Sequence, residues 1–305
     1  MTNRFGIIDL GSNSCRLYIM EQQGSKPVLV RRERRVVRLG SGSFGRRLLQ
    51  PEGMQRSAAC LAEFAGILRS EHITRCGAYA TSAVRDAANQ DEFVSLVRET
   101  SGISLRVLSG EEEARAVYRG LQANLPLTDD TDLFLDIGGG STEVICADRH
   151  DIRYLKSFQT GAVRLYESSL NDPGRVAPET YGELKRRAMQ VLEELGGFVR
   201  THPVAVFYGT SGTVLNLCSA TAYRLGKLPE ETPVTQADEL RRTIALLADM
   251  TLEDKRQVPG LIPDRADIII AGAAILDAVM DLSGARSVVT THFSIKDGLA
   301  ADMLL

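Results

Sequence analysis

Asp9-Leu10-Gly11-Ser12-Asn13-Ser14, near the start of the sequence, returns in form as Asp136-Ile137-Gly138-Gly139-Gly140-Ser141-Thr142 near its middle. Glycine reaches positive φ without penalty and lets backbone N–H groups approach an anion, so such a turn can become a nest of donors. Ser12, Asn13, Ser14, Ser141 and Thr142 add side-chain donors at the same tips. The aspartate before each turn repels phosphate but can hold a divalent cation, which takes oxygen ligands and bridges to phosphate oxygens. Each turn thus offers an acid for a cation and donors for an anion. A third segment, Gly209-Thr210-Ser211-Gly212-Thr213, follows an apolar run over residues 204–208 and leads towards an expected helix near Val214. Any one of these segments alone is an ordinary turn, where Asp, Asn, Ser and Gly all belong. It is the repetition that favours phosphate.

Two further residues suit phosphoryl chemistry. Ser109-Gly110-Glu111-Glu112 has the form of a capping box, and Glu111 lies four residues before Arg115, a favourable helical pair. Glu113 has neither explanation, for its neighbours three, four and seven residues on are Ala116, Val117 and Gly120. A carboxylate there can orient and deprotonate water for in-line attack. An N-terminal acid that favours the helix macrodipole explains it equally well. Arg85, just after an expected strand, offers a bidentate fork for phosphate and charge for its transition state. A surface ion pair with Asp86 or Asp91 is its alternative reading.

These residues need strands and helices to position them. Residues 5–40 read as three strands, the third over 28–39 with Arg31, Arg32, Arg34, Arg35 and Arg38. Such a strand is a charge-protected edge or a basic rim for a polyanion, and Arg38, Arg46 and Arg47 are the best candidates for the rim. Helices are expected over 51–70, 92–100 and 110–121, and strands over 76–80 and 105–108. Pro126-Leu127-Thr128-Asp129-Asp130 reads as a polar linker, which gives domains at 1–124 and 125–294. The second half repeats the plan: strand, turn, strand, a strand over 152–158, a helix around 161–170, one long helix over 178–199, a strand from 204, another helix and a closing run from 267. The last helix, about 295–305, is expected to pack back on the first domain. Two similar α/β domains facing a shared cleft are the predicted arrangement, with phosphate and metal in the cleft.

Composition narrows the function classes. A chain of 305 residues with ordinary apolar content suits two domains with their own cores. A formal net charge of −3 gives no reason to expect nucleic-acid or membrane binding. No signal peptide and no bilayer-length apolar run is visible, so a cytoplasmic protein is expected. Cys15, Cys60, Cys76, Cys146 and Cys218 show no paired spacing and read as free thiols. Cys15, beside the first turn, reads as a buried small hydrophobe. His72, His150, His202 and His292 form no ligand cluster, so zinc is not expected.

The chain resembles the Ppx/GppA family, the exopolyphosphatases and guanosine pentaphosphate phosphohydrolases, over essentially its whole length. The matching stretches include Ile8 to Ser14, Ala80-Thr81-Ser82-Ala83-Val84-Arg85-Asp86-Ala87, Leu108 to Ala114, Asp136 to Glu143, Gly209 to Thr213, and Arg265-Ala266-Asp267. The resemblance implies two ribonuclease-H-like, actin-like domains. It implies Glu113 as general base and Arg85 as phosphate clamp. It further implies Asp136 and Glu143, with Asp9, as acids on the side of Mg²⁺ (or Mn²⁺), and Gly11 to Ser14, Gly138 to Thr142 and Gly209, Thr210, Ser211 and Gly212 as phosphate-binding. The implied substrate is inorganic polyphosphate, with pppGpp (and ppGpp as its relative) the alternative. An actin-like kinase and a non-catalytic (p)ppGpp-binding protein are weaker readings, since Glu113, Arg85 and Asp136 are intact. Where the family usually reads Gly-Leu-Arg-Glu-Gly, this chain has Ser294-Ile295-Lys296-Asp297-Gly298, which implies a point-charge contact from Lys296. Long members continue into a helical region, so a short form with reduced processivity is expected. The oligomeric state stays open, a homodimer included.

Overall fold

The computed structural model describes residues 3–24, 26–170 and 172–304. The chain forms two compact units, one of residues 1–124 with 295–305, the other of residues 125–294. The end of the predicted last helix, Leu305, lies outside the described residues.

The first unit runs β1 (Arg4–Leu10), β2 (Ser14–Gln23), β3 (Lys26–Val36), α1 (Pro51–Ser70), β4 (Cys76–Ala80), α2 (Ser82–Arg85), α3 (Gln90–Ser101), β5 (Leu105–Val107) and α4 (Gly110–Gln122). Its sheet has the order β3-β2-β1-β4-β5. β1 is antiparallel to β2 and β2 to β3, while β4 and β5 join in parallel, the ribonuclease-H-like arrangement. Ile8, Leu10, Leu17, Ile19, Leu61, Phe64 and Phe93 share one core. The apolar face of α1 covers the sheet as the helical period predicts.

The second unit repeats the plan with β6 (Thr131–Ile137), β7 (Thr142–Ala147), β8 (Ile152–Phe158), α5 (Ala162–Ser169), α6 (Pro178–Val191), α7 (Glu193–Val199), β9 (Val204–Thr210), α8 (Ser211–Arg224), β10 (Val234–Gln236), α9 (Ala237–Ala248), α10 (Leu252–Arg256), α11 (Ile269–Ser283) and β11 (Ser287–Thr290). Its order β10-β11-β9-β6-β7-β8 is the first unit's order with one antiparallel strand, β10, added at the edge. α11 is buried almost throughout and anchors the core of this unit.

The single long helix predicted over 178–199 is broken. Leu192, at φ −90 and ψ 9, leaves helical geometry and separates α6 from α7. The fully buried Leu192 and Leu195 then keep both pieces against the core. The third strand is also shorter than expected, ending at Val36 instead of Leu39, because Val37 and Arg38 donate their backbone N–H groups to Asn13 O.

The chain returns to the first unit with α12 (Ile295–Asp302). α12 lies against α4 so closely that a Cβ on Gly298 would stand 1.9 Å from Ala116 O. Only glycine permits that approach. Among the described residues no helix is long and apolar enough to cross a membrane.

Candidate functional site

The two repeated turns close in the same way: Gly11 N donates to Ser14 O at 3.0 Å, and Gly138 N to Ser141 O at 2.9 Å. Neither Gly11 nor Gly138 takes positive φ, contrary to the expectation from turn chemistry. At Gly138 the reason for glycine is proximity, since a Cβ there would meet Ser141 O at 3.1 Å, whereas at Gly11 the same contact is a looser 3.4 Å.

In each unit a different later segment ties down the turn's carbonyls. In the first, Ser12 O accepts from Gly40 N (2.8 Å), and Asn13 O accepts from Val37 N and Arg38 N (3.1 and 3.0 Å). In the second, Gly138 O accepts from Ala162 N (3.0 Å), Gly139 O from Val163 N (2.8 Å) and Gly140 O from Arg164 Nε (2.7 Å). A trans peptide points its N–H opposite to its C=O. Holding these carbonyls therefore directs the amides of Asn13, Ser14, Gly139, Gly140 and Ser141 the other way, as an anion nest requires. In the first turn, Asn13 Nδ2 and Ser14 Oγ are buried with no hydrogen-bond partner. Unmade hydrogen bonds of this kind cost about 1–3 kcal/mol each, and an anionic ligand would offset that cost.

The residues flanking the turns differ. Asp9 lies opposite Arg16 in the β1–β2 register, and Arg16 Nη1 donates to its carboxylate at 3.0 Å. Asp136 lies opposite Glu143 in the β6–β7 register. Glu143 is 2 % exposed and accepts from Ser157 Oγ on β8 at 2.7 Å. Like charges directly opposite on one sheet face are unfavourable, and a cation between them would reverse the sign. Among the described residues no three His, Cys, Asp or Glu side chains gather as a ligand set. Two carboxylates suit Mg²⁺, which keeps several waters and takes its remaining ligands from phosphate. The donor set fits that ion and not a closed protein cage.

Glu113 and Arg85, nominated separately, are found together. Glu113, 8 % exposed on the first turn of α4, accepts from Arg85 Nη1 at 2.8 Å through Oε2. The same Nη1 donates to Leu108 O at 3.0 Å, and Asp86 stands 3.9 Å from Arg85 Nε. The capping box of Ser109 and Glu112 is present and fixes the start of α4. Sequence pattern thus correctly assigns Glu112 to the cap.

The third segment is built differently from its prediction. The helix begins at Ser211, not near Val214, so Gly212 and Thr213 lie inside its first turn. Ser211 takes φ 76, a costly conformation for a non-glycine residue. Its hydroxyl donates to Ile137 O (3.0 Å) and accepts from Ile137 N (3.2 Å), so it fixes the end of β6 beside the second turn. Thr210 Oγ1 donates to Phe293 O at 2.8 Å. A Cβ on Gly212 would stand 2.2 Å from Arg265 Cζ, which places a guanidinium flat against this segment.

Arg16 and Ser82 in the first unit, and Arg164, Arg265 and Ser157 in the second, also flank these segments and carry no role in the sequence reading. Ser82 Oγ lies 3.0 Å from Ser12 Oγ. Hairpin register would have found Arg16, seven residues after Asp9, but nothing local marks Ser157. Lys296 is paired with Asp297 at 2.6 Å and lies 6.0 Å from the Tyr18 ring centroid. Cys15 is fully buried, as expected.

A family model, the Ppx/GppA phosphatase family, matches residues 18–305, and the chain belongs to that family. The first turn precedes the matched region. Solved structures similar to this chain include an exopolyphosphatase from Cytophaga hutchinsonii. It is 26 % identical, with 99 % of this chain and 97 % of that one covered and a TM-score of 0.90. An exopolyphosphatase-like protein is 24 % identical, covering 99 % and 98 %, with a TM-score of 0.87. A Ppx/GppA family member from Aquifex aeolicus is 23 % identical, covering 100 % and 98 %, with a TM-score of 0.79. The last two show the same fold.

Proposed function

We propose that this member of the Ppx/GppA phosphatase family is an exopolyphosphatase, hydrolysing the terminal phosphoanhydride of inorganic polyphosphate to release orthophosphate. The observation that carries the reading is the pair formed by buried Glu113 and half-buried Arg85. It brings a carboxylate able to take a proton from water beside a guanidinium able to hold phosphate. The turn amides around Gly11 to Ser14 and Gly138 to Thr142 would bind phosphate oxygens, with Arg265 beside Gly212 as a further cation. Asp136 and Glu143 would hold Mg²⁺, which when bound offsets phosphate charge. Asp9, already paired with Arg16, would orient that arginine.

Polyphosphate is preferred over pppGpp for a structural reason. Exposed Arg38, Arg46 and Arg47 sit in the loop between β3 and α1. Backbone hydrogen bonds from Val37, Arg38 and Gly40 moor this loop to the first turn. A basic loop fixed to a phosphate-binding turn suits a substrate that continues as a polyanion. The likeness to the Cytophaga exopolyphosphatase supports the same choice.

The test is phosphate release from long-chain polyphosphate with Mg²⁺, run beside pppGpp at equal terminal-phosphate concentration. Faster release from polyphosphate is expected. Release from pppGpp alone would replace this reading with alarmone hydrolysis. Tight binding of either without turnover would point to a sensor.

A further inference from the structure

The first unit holds a cavity of 360 Å³ that no part of the proposed chemistry uses. Its walls come from β4, β5, α4 and α12, and it opens on a different face of α4 from the one carrying Glu113. Arg106, Arg115 and Arg119 all line it. Arg115 and Arg119 lie three and seven residues after Glu112, so α4 presents this side as one stripe. Tyr79, Leu299 and Met303 supply an aromatic ring and apolar surface on the other walls.

Each arginine is engaged on one side only. Arg106 Nη2 pairs with Glu112, Arg115 with Glu111, and Arg119 Nη2 with Asp302. A guanidinium carries five N–H donors, so most of the donors here are unused by these contacts. Arg119 Nε is buried with no acceptor among the described residues. The arginine side chains are 63 %, 52 % and 41 % exposed, and exposed pairs of this kind contribute about 0–1 kcal/mol each. Glu111 and Asp302 can therefore give way cheaply to a better acceptor, while Glu112 stays on the α4 cap through its other oxygen. A phosphate group is that acceptor, since its oxygens match the arginine fork and carry more charge.

We infer that this cavity is a second anion site, built for a small phosphomonoester that carries a planar or apolar group. The volume lies in the range of small-molecule sites. Three convergent guanidinium groups select the phosphate, and Tyr79 with the Leu299 and Met303 surface selects the body. A bare phosphate satisfies only the first of these, and an uncharged nucleoside only the second.

The test is calorimetric binding to the full chain, with adenosine monophosphate, orthophosphate and adenosine as probes. Adenosine monophosphate is expected to bind saturably, and each of the others at least about tenfold more weakly. A charged hydrogen bond is worth roughly 1.5–3 kcal/mol, so Arg115→Ala with Arg119→Ala should weaken it by tenfold or more. Met303→Trp, which fills the cavity without removing an arginine, should weaken it too and keeps the inference testable if the double variant does not fold. Long-chain polyphosphate should leave the binding in place, because no residue of the turns lines this cavity. No binding at millimolar concentration would overturn the inference. Binding that polyphosphate displaces and that both variants leave unchanged would overturn it as well, by assigning the nucleotide to the turns. These readouts do not depend on turnover, so they separate this site from the proposed exopolyphosphatase activity.

Discussion

The hairpin β1–β2 and the hairpin β6–β7 share a backbone and differ in charge. Both close a glycine turn through the same hydrogen bond, at 3.0 and 2.9 Å, and both place an aspartate two residues before the glycine. Opposite that aspartate the first has Arg16 and the second has Glu143. On the proposed reading, this one change of sign gives the frames different ligands. The first is neutralised within itself and leaves Asn13 Nδ2 and Ser14 Oγ buried without partners, which suits an anion alone. The second faces acid to acid and suits an anion held through a cation. On that reading, the duplicated fold keeps its hydrogen-bond geometry while the residue opposite the aspartate selects what each copy binds.

The largest expected effect removes the chemistry and leaves both hairpins intact. Glu113→Gln should lower turnover on polyphosphate by ~10²–10⁴-fold, the usual contribution of a general base. Its melting temperature should stay close to that of the parent. Near-normal turnover would take Glu113 out of the mechanism and shift attention to the turns themselves.

The next effect falls on the second hairpin alone. Ser157→Ala removes the hydroxyl that orients Glu143. Loss of an outer-shell partner costs about 10–100-fold in metal affinity, so the Mg²⁺ concentration for half-maximal activity should rise by about tenfold. An unchanged Mg²⁺ dependence would mean that Glu143 does not serve the ion.

Backbone packing sharpens the contrast further. A Cβ on Gly161 would stand 2.6 Å from the Gly139 and Gly140 backbone, whereas one on Gly11 would meet nothing closer than Ser14 O at 3.4 Å. Gly161→Ala should cost about 1–3 kcal/mol of stability, as overpacking does, while Gly11→Ala should unfold close to the parent in a denaturant titration. Equal losses would mean that both turns are strained alike.

The smallest effect concerns the turn after β7. Asp148 accepts from the backbone N–H groups of Asp151 and His150, and these, with Arg153, hold its carboxyl down from 3.8 to about 2. A depressed folded-state value means that the group stabilises the fold above pH 3.8 and stops doing so as pH falls through about 2. The stability gap between the parent and Asp148→Asn should be full at pH 5 and shrink towards pH 2. A gap independent of pH would contradict this.

Much of this was legible in the sequence because local rules govern it. Helix α1 and strand β8 follow their periodicities to the residue, and Ser109 with Glu112 announces the start of α4. The turns were found through glycine and the acids beside it. What escaped is set by contacts distant in sequence. Arg85 reaches Glu113 across 28 residues, Ser211 reaches Ile137 across 74, and the start of α5, through backbone amides and the Arg164 side chain, holds the second turn's carbonyls. The break at Leu192, a good helix former, is one that helical propensity does not register. The family resemblance, not spacing, chose between the two readings of Glu113.

The most direct test of the contrast is electron paramagnetic resonance of Mn²⁺ titrated into the protein with orthophosphate present. The parent, Glu143→Gln and Asp9→Asn would be compared. The parent and Asp9→Asn should bind one ion with similar affinity, and Glu143→Gln should lose it. Binding that survives in Glu143→Gln and disappears in Asp9→Asn would contradict the assignment of the cation to the second hairpin.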